Sequence, residues 1–206
     1  MAVEHLEILV EEPSMEALLR VLLPKFLHRG IEFRVRVFNG KQDLLSQLPQ
    51  RLSGYHEWLP DSWRIIVLVD RDQDDCHKLK KQLEDIAADA RLSTKSSVPH
   101  TEWQVVNRLA IEELEAWLFG DMDAVRAAYP RVPRTIEERA RYRHPDAIRG
   151  GTGEALERVL KSVNYFSGGL RKLEAARKIA LHMNPEQNRS HSFQVFRNTI
   201  DELARL

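Results

Sequence analysis

The sequence predicts an α/β fold: a parallel sheet of about four strands flanked by helices, with a helical C-terminal region. Three observations predict it. Over residues 1–120, short apolar runs alternate with stretches of helically spaced apolar residues. One run, Arg64-Ile65-Ile66-Val67-Leu68-Val69, is almost continuously apolar, as a central strand covered on both faces must be. Beyond residue 121 the strand signal disappears and helical spacing alone remains. The expected organisation is an α/β core over 1–120 and a helical region over 121–206 packed on it, with no flexible linker. A chain of 206 residues accommodates this as one large domain or one domain with a helical annex.

Residues 5–10 form the first expected strand, with Leu6, Ile8, Leu9 and Val10 apolar. Ser14, after Pro13, is the expected N-cap of a helix. That helix carries Leu18, Leu19, Leu22, Leu23, Phe26 and Leu27 at helical spacing, with Pro24 as a kink or break and Gly30 as the end. Residues 31–38 alternate, with Ile31, Phe33, Val35 and Val37 on one face and Glu32, Arg34 and Arg36 on the other. This is the pattern of a half-buried strand at or near a sheet edge. Asn39-Gly40 turns the chain into a helical stretch carrying Leu44, Leu45, Leu48 and Leu52. The apolar run 64–69 is the third strand, followed by a helix over 76–91, a fourth strand over 101–109 and a short amphipathic helix over 110–119. Pro130, Pro133 and the charged run 137–143 predict a loop or lid. Helices are expected near 153–163, 170–183 and 192–206.

Composition narrows the function classes. Lysine plus arginine and aspartate plus glutamate both number 31, so the chain is not broadly basic; a local basic patch for nucleic acid is still compatible. Cys76 is the single cysteine, which rules out an intramolecular disulfide. The beginning of the chain lacks a basic segment followed by an apolar one. No apolar stretch approaches the ~20 residues of a membrane span. A soluble, cytoplasmic chain with no membrane partner is expected. The eight histidines are dispersed, and Cys76-His77 is not at ligand spacing, which argues against zinc. There is no P-loop and no Gly-x-Ser-x-Gly nucleophile elbow. An EF-hand does not fit, because the sixth loop position would be Asp75 and the twelfth Lys81.

The chemistry-bearing feature is the acidic run Asp70-Arg71-Asp72-Gln73-Asp74-Asp75, directly after the central strand. Glu11 directly follows the first strand, and Glu112, Glu113 and Glu115 open the helix expected after the fourth. In a parallel sheet these positions share one edge, where ligands of open α/β sheets bind. Hard oxygen ligands without histidine or thiolate favour Mg2+ or Mn2+. Such an ion polarises a phosphoryl oxygen or activates water. The competing reading of Asp70 and Asp72 is a solvated loop that caps the next helix; Glu11 in the equivalent place favours metal. Asp74 and Asp75 read as helix-start residues. Glu112 and Glu115 share a face of the expected helix, while Leu114, Trp117 and Leu118 point inward as core. Gly150-Gly151-Thr152-Gly153 reads as a flexible lead-in to a Thr-capped helix in preference to a phosphate cradle. Arg139, Arg141, Arg143 and His144 read as a solvated charged face in preference to a nucleic-acid contact.

These residues carry a resemblance. Ile8-Leu9-Val10-Glu11-Glu12-Pro13-Ser14 and Val67-Leu68-Val69-Asp70-Arg71-Asp72 resemble the opening and the Asp-x-Asp element of the TOPRIM (topoisomerase-primase) fold. Glu12 stands where that opening usually has glycine. More closely, the chain is similar to domain-of-unknown-function family 4276, through those stretches, Glu113-Leu114-Glu115-Ala116-Trp117-Leu118 and Ser190-His191-Ser192-Phe193. That family is similar in turn to TOPRIM nucleases of the overcoming-lysogenisation-defect type, which often accompany ATPases in phage defence. The resemblance implies a TOPRIM-like sheet and a Mg2+- or Mn2+-dependent nuclease. Glu11, Asp70 and Asp72 match its metal-binding residues. Glu115, with Glu112 as second choice, matches a later glutamate that serves a second metal or acts as general base. Lys172 matches its distant lysine, and Lys172 or Arg171 would stabilise charge in catalysis. Expected partners are DNA or RNA, an ATPase partner protein and a second copy of the chain as a homodimer. The alternative is a non-catalytic TOPRIM-like module that recruits or regulates an ATPase or nucleic acid. A third reading, a phosphohydrolase with Asp70 as nucleophile, is weaker because that arrangement normally follows the first strand.

Overall fold

The computed structural model describes residues 2–98 and 102–204. It is an α/β structure with one four-stranded, all-parallel sheet in the order β2-β1-β3-β4. The elements run β1 (His5–Val10), α1 (Pro13–Leu22), β2 (Glu32–Val37), α2 (Lys41–His56), β3 (Trp63–Asp70), α3 (Cys76–Asp89), β4 (Val105–Ala110) and α4 (Glu115–Phe119). Four further helices follow: α5 (Met122–Ala128), α6 (Thr152–Ser162), α7 (Lys172–Ala180) and α8 (His191–Leu203).

The alternation of strand side chains divides the core in two. Leu6, Ile8 and Val10 of β1 point to one face with Ile66, Leu68, Val106 and Ala110. That face is covered by α1 and by apolar side chains of α4 through α8. Leu9, Ile65, Val67, Val69 and Val105 point to the other face, against Leu44, Leu48 and Leu52 of α2 and Leu79 and Leu83 of α3. β3 is buried on both sides, which is why its sequence is continuously apolar. β2 lies at the sheet edge and alternates accordingly.

Several local expectations need correction. Glu12, in extended conformation, is the residue before α1, and Ser14 lies inside the helix with its hydroxyl donating to the Glu12 carboxylate. Pro24 tightens the end of α1 into a 3-10 turn over Leu23–Lys25, because it lacks the N–H that would continue the ladder. The fourth strand starts later and ends later than expected; Thr101 lies outside the described residues. Ala110 pairs with Asp70 as the last rung of the sheet. The helix expected over 110–119 therefore starts only at Glu115, and Glu112 and Glu115 do not share a helix face. Glu112 instead has φ 63° in the connecting loop. The loop expected over Pro130, Pro133 and 137–143 follows α5 and contains two 3-10 turns, Arg134–Ile136 and Ala140–Tyr142, and Val132, Ile136 and Tyr142 are buried along it. α8 begins at His191, and Arg205 and Leu206 of the expected last helix lie outside the described residues.

One polar lock ties the C-terminal helices to the sheet. Trp117 of α4 is fully buried, with its ring 5.3 Å from Phe193 and 5.1 Å from Phe196 of α8. Its Nε1 donates to Ser192 Oγ at 3.0 Å, and its carbonyl accepts from Asn188 Nδ2 at 2.7 Å. Asp146 accepts from Ser190 Oγ (2.8 Å), Ser192 Oγ (2.6 Å) and the His191 N–H (2.5 Å). Ser190 also caps α8 by accepting from the Phe193 N–H at 3.2 Å. The Glu-Ala-Trp-Leu and Ser-His-Ser-Phe stretches are thus two halves of one contact. Replacing Asp146 with Ala strands three donors and is expected to cost about 2 kcal/mol. Arg149→Ala, on the exposed surface, should stay within about 0.5 kcal/mol. Chemical denaturation of both variants checks this; equal midpoints would remove the lock as a source of stability.

Candidate functional site

Parallel pairing sets the carboxyl ends of β1, β3 and β4 side by side. Glu11 follows β1 and is 5% exposed; its Oε1 accepts from the Asp70 backbone N–H at 2.5 Å. Asp70 is the last residue of β3, and its Oδ1 is shut off from solvent with no hydrogen-bond partner. Glu115 opens α4 and is 2% exposed. Its Oε2 is also buried without a partner, and its Oε1 lies 3.6 Å from Lys172 Nζ at the start of α7.

Burial of three carboxyls from three strand ends has an electrostatic consequence. Burial pushes Asp70 well above the usual carboxylate range, and repulsion from Glu11 and Glu115 pushes it further. Burial raises Glu115 to about 7 against the opposing pull of Lys172. It raises Glu11 to about 7 against the Asp70 N–H and Lys41. Burial alone would lower Lys172, but attraction from Glu115, Glu12, Glu113 and Asp70 raises it. Lys172 is therefore the fixed positive charge facing the cluster.

Asp72 is placed differently. Its side chain is 46% exposed and ion-pairs with Lys41 Nζ at 2.6 Å. Lys41 opens α2 and also holds Asp74 (2.8 Å) and the Arg71 carbonyl (3.1 Å). Asp72 sits at φ 50°, a left-handed conformation that aspartate tolerates better than most residues. Its N–H donates to the Glu112 carbonyl at 2.6 Å, and the Arg71 guanidinium pairs with the Glu112 carboxylate. Glu112 thereby clamps the β3 and β4 loops together at the expense of its own left-handed backbone. Asp75 caps α3, accepting from the His77 and Lys78 N–H groups.

Glu113 faces the next helix. Its carboxylate accepts from the Gly153 N–H at 2.7 Å and from Thr152 Oγ1 at 3.1 Å. The start of α6 is thus capped by Glu113 from another loop, where the sequence predicts a Thr cap. A Cβ on Gly153 would come within 3.3 Å of both Glu113 Oε2 and Lys172 Cε, so glycine permits Lys172 to reach Glu115. Arg171 does not join the site: it ion-pairs with Glu174 at 3.0 Å and lies over the Phe166 ring. Glu12 has φ −141°, ordinary extended backbone, so this turn does not need the glycine found in the TOPRIM opening.

The residues gathered are Glu11, Asp70, Glu115 and Lys172, with Asp72 on the rim. A cleft of about 220 Å³, lined by Asp72, Gln73, Glu112, Glu113, Gly150, Gly151 and Glu154, opens this edge to solvent. Among the described residues no group of three or more His, Cys, Asp or Glu side chains is placed so that it could hold a metal ion. The donor chemistry nevertheless fits a hard cation, since two buried carboxylate oxygens lack any partner. Lys41 and the capping role of Glu113 were missed by sequence reasoning. Lys41 had a readable signal: it follows the turn after β2, at the same sheet edge.

Fold and site together define a parallel α/β domain with a buried acidic cluster at its carboxyl edge. The profile of the family described as Domain of unknown function (DUF4276) matches residues 10–201, and the chain belongs to that family. No curated protein and no solved structure matches. No described helix is long and apolar enough to cross a membrane.

Carboxyls raised by folding hold protons that the unfolded chain has already released. Between pH 4.5, the ordinary glutamate value, and about 7 the native state binds more protons, so stability falls as pH rises. The melting temperature of the metal-free protein is expected to fall across this window. Glu115→Gln should flatten the fall and raise the melting temperature at pH 7.5 by about 4 °C. Parallel profiles for the two proteins would contradict a raised Glu115.

Proposed function

We propose that the chain is a Mg2+- or Mn2+-dependent, TOPRIM-like nuclease that hydrolyses phosphodiester bonds, working with an ATPase partner in phage defence. The observation that carries this reading is the burial of Glu11, Asp70 and Glu115 at one sheet edge, where Glu11 and Glu115 both repel Asp70, with Asp70 Oδ1 and Glu115 Oε2 unpartnered. A fold keeps such mutually repelling groups together most readily where a cation arrives. Glu11 and Asp70 would hold it, with Asp72 reached by release from Lys41, and Glu115 would assist a second ion or act as general base. When bound, the ion would polarise a phosphoryl oxygen and activate water.

The chain's own residues supply the rest. Glu115, raised to about 7, is suited to accept a proton near neutral pH. Lys172 keeps its charge and stands where negative charge on a phosphoryl group would need stabilising. The clamp of Asp72 and Arg71 on Glu112 fixes the spacing of the loops that carry the acids. A second reading is a non-catalytic TOPRIM-like binding module. It is favoured by one observation: Lys172 and Lys41 already supply counter-charge to Glu115 and Asp72.

Cleavage of single- and double-stranded DNA and RNA, with Mg2+, with Mn2+ and with chelator, decides between the two. Asp70→Asn is expected to abolish metal-dependent cleavage, at least 100-fold, while leaving the fold intact. Lys172→Ala should lower turnover about 10- to 100-fold, and Arg171→Ala should change it less than twofold. Absence of cleavage, with the partner ATPase added, would support the binding module.

A further inference from the structure

Away from the acidic edge, a cleft of about 400 Å³ is lined by Arg36 of the edge strand and by Gln47, Gln50, Arg51, Gly54, Tyr55 and Trp58 on and just after α2. None of its lining residues is acidic. Its floor is built. The buried Glu7 accepts from Arg36 Nε at 2.6 Å and from Tyr55 Oη at 2.7 Å, which fixes both side chains at the wall. The Arg36 side chain is still 36% exposed. Arg51 lies over the Phe38 ring and has no carboxylate partner among the described residues. Arg34, exposed, is two residues before Arg36 and on the same strand face. Asp43 is committed to the Asn39 N–H and the Gln47 amide, and the exposed Glu57, between His56 and Trp58, is not part of the lining.

Trp58 gives the cleft its chemistry. It is 55% exposed. It is braced by Tyr55 (5.4 Å) and by Trp63 (5.6 Å, edge-on), and Trp63 is itself stacked on His5 at 3.8 Å. An exposed indole that lines one cleft with two arginines offers a stacking platform beside phosphate contacts. A Cβ at Gly54 would meet nothing within 4 Å, so the groove is open at its middle.

We propose that this cleft binds a segment of single-stranded nucleic acid, with a base stacked on Trp58 and phosphates on Arg36 and Arg51. Stacking on Trp58 requires an unpaired base, which separates single strands from duplex. The lining on α2, from Gln47 to Tyr55, spans about 12 Å of helix, enough for about two nucleotides. α2 is also the helix whose first residue, Lys41, grips the Asp72 loop, so the cleft and the acidic cluster share one rigid support. This inference deepens the proposed function by naming single strands as the substrate class. It rests on that reading only for the fate of the strand after binding.

The test is fluorescence anisotropy of labelled oligothymidylate and oligouridylate in chelator, where no metal-dependent cleavage occurs. Trp58→Ala and Arg51→Ala, both at exposed positions, should each weaken binding about tenfold. Arg51→Ala should also lower the slope of log affinity against log salt by about 0.7. Gln82→Ala, exposed on α3 and outside both the cleft and the acidic edge, should bind as wild type does. Unchanged affinity in both cleft variants, equal binding of duplex, or stronger binding of an oligoglutamate peptide would overturn the inference. Strands that bind through the cleft but are not cleaved with any metal would sink the nuclease reading alone. Cleavage with unchanged cleft-variant binding would sink the cleft alone.

Discussion

The carboxyl edge of this sheet depends on keeping Glu11, Asp70 and Glu115 out of water, with Asp70 in the repulsive field of the other two. Left to themselves, three carboxylates would separate and hydrate. They stay because each is attached to an element whose other residues are deeply apolar. Glu11 is carried by a β1 with Leu6, Ile8, Leu9 and Val10 fully buried. Asp70 ends the most buried strand of the sheet. Glu115 is held by an α4 with Ala116, Trp117, Leu118 and Phe119 buried. Hydrophobic burial of each element, about 1.5–3 kcal/mol for each large apolar side chain, outweighs the repulsion of the acids it carries. The cost shows up as raised carboxyl pKa values and as two orphaned oxygens.

The polar lock around Trp117 serves the same end. α4 is only five residues long and has no independent stability. Its position comes from the indole's contacts with Ser192, Phe193 and Phe196, and Asp146 holds that segment in turn. The C-terminal helices thereby set the place of Glu115 from above, while α7 brings Lys172 in from the side.

Two regions carry opposite chemistry on one scaffold. The carboxyl edge of the sheet gathers acids and answers them with Lys41 and Lys172. The flank of α2 offers arginines and aromatics with its one buried acid, Glu7, fully engaged. The formal charge of the whole chain is zero, which conceals this separation completely. Net charge describes the sum of the surface, and binding depends on its distribution.

The sequence by itself determined the strands, because period-two alternation in the edge strand and unbroken apolar character in β3 follow directly from how many faces are covered. It also indicated that Glu11, Asp70 and Asp72 follow strands that end at one sheet edge, since parallel strands align their ends. It misplaced the start of α4 because Ala110 and Glu115 both suit a helix, and only pairing of Ala110 with Asp70 shows that the strand continues. Tertiary structure alone decided which acids converge: Asp72 turned outward to Lys41, Glu112 became a clamp, and Glu113 became the cap of α6. Arg171 and Lys172 are neighbours in sequence, yet only Lys172 reaches the cluster, through the space left by Gly153. Those outcomes depend on backbone direction within single loops and on contacts between distant segments. Periodicity carries information about neither.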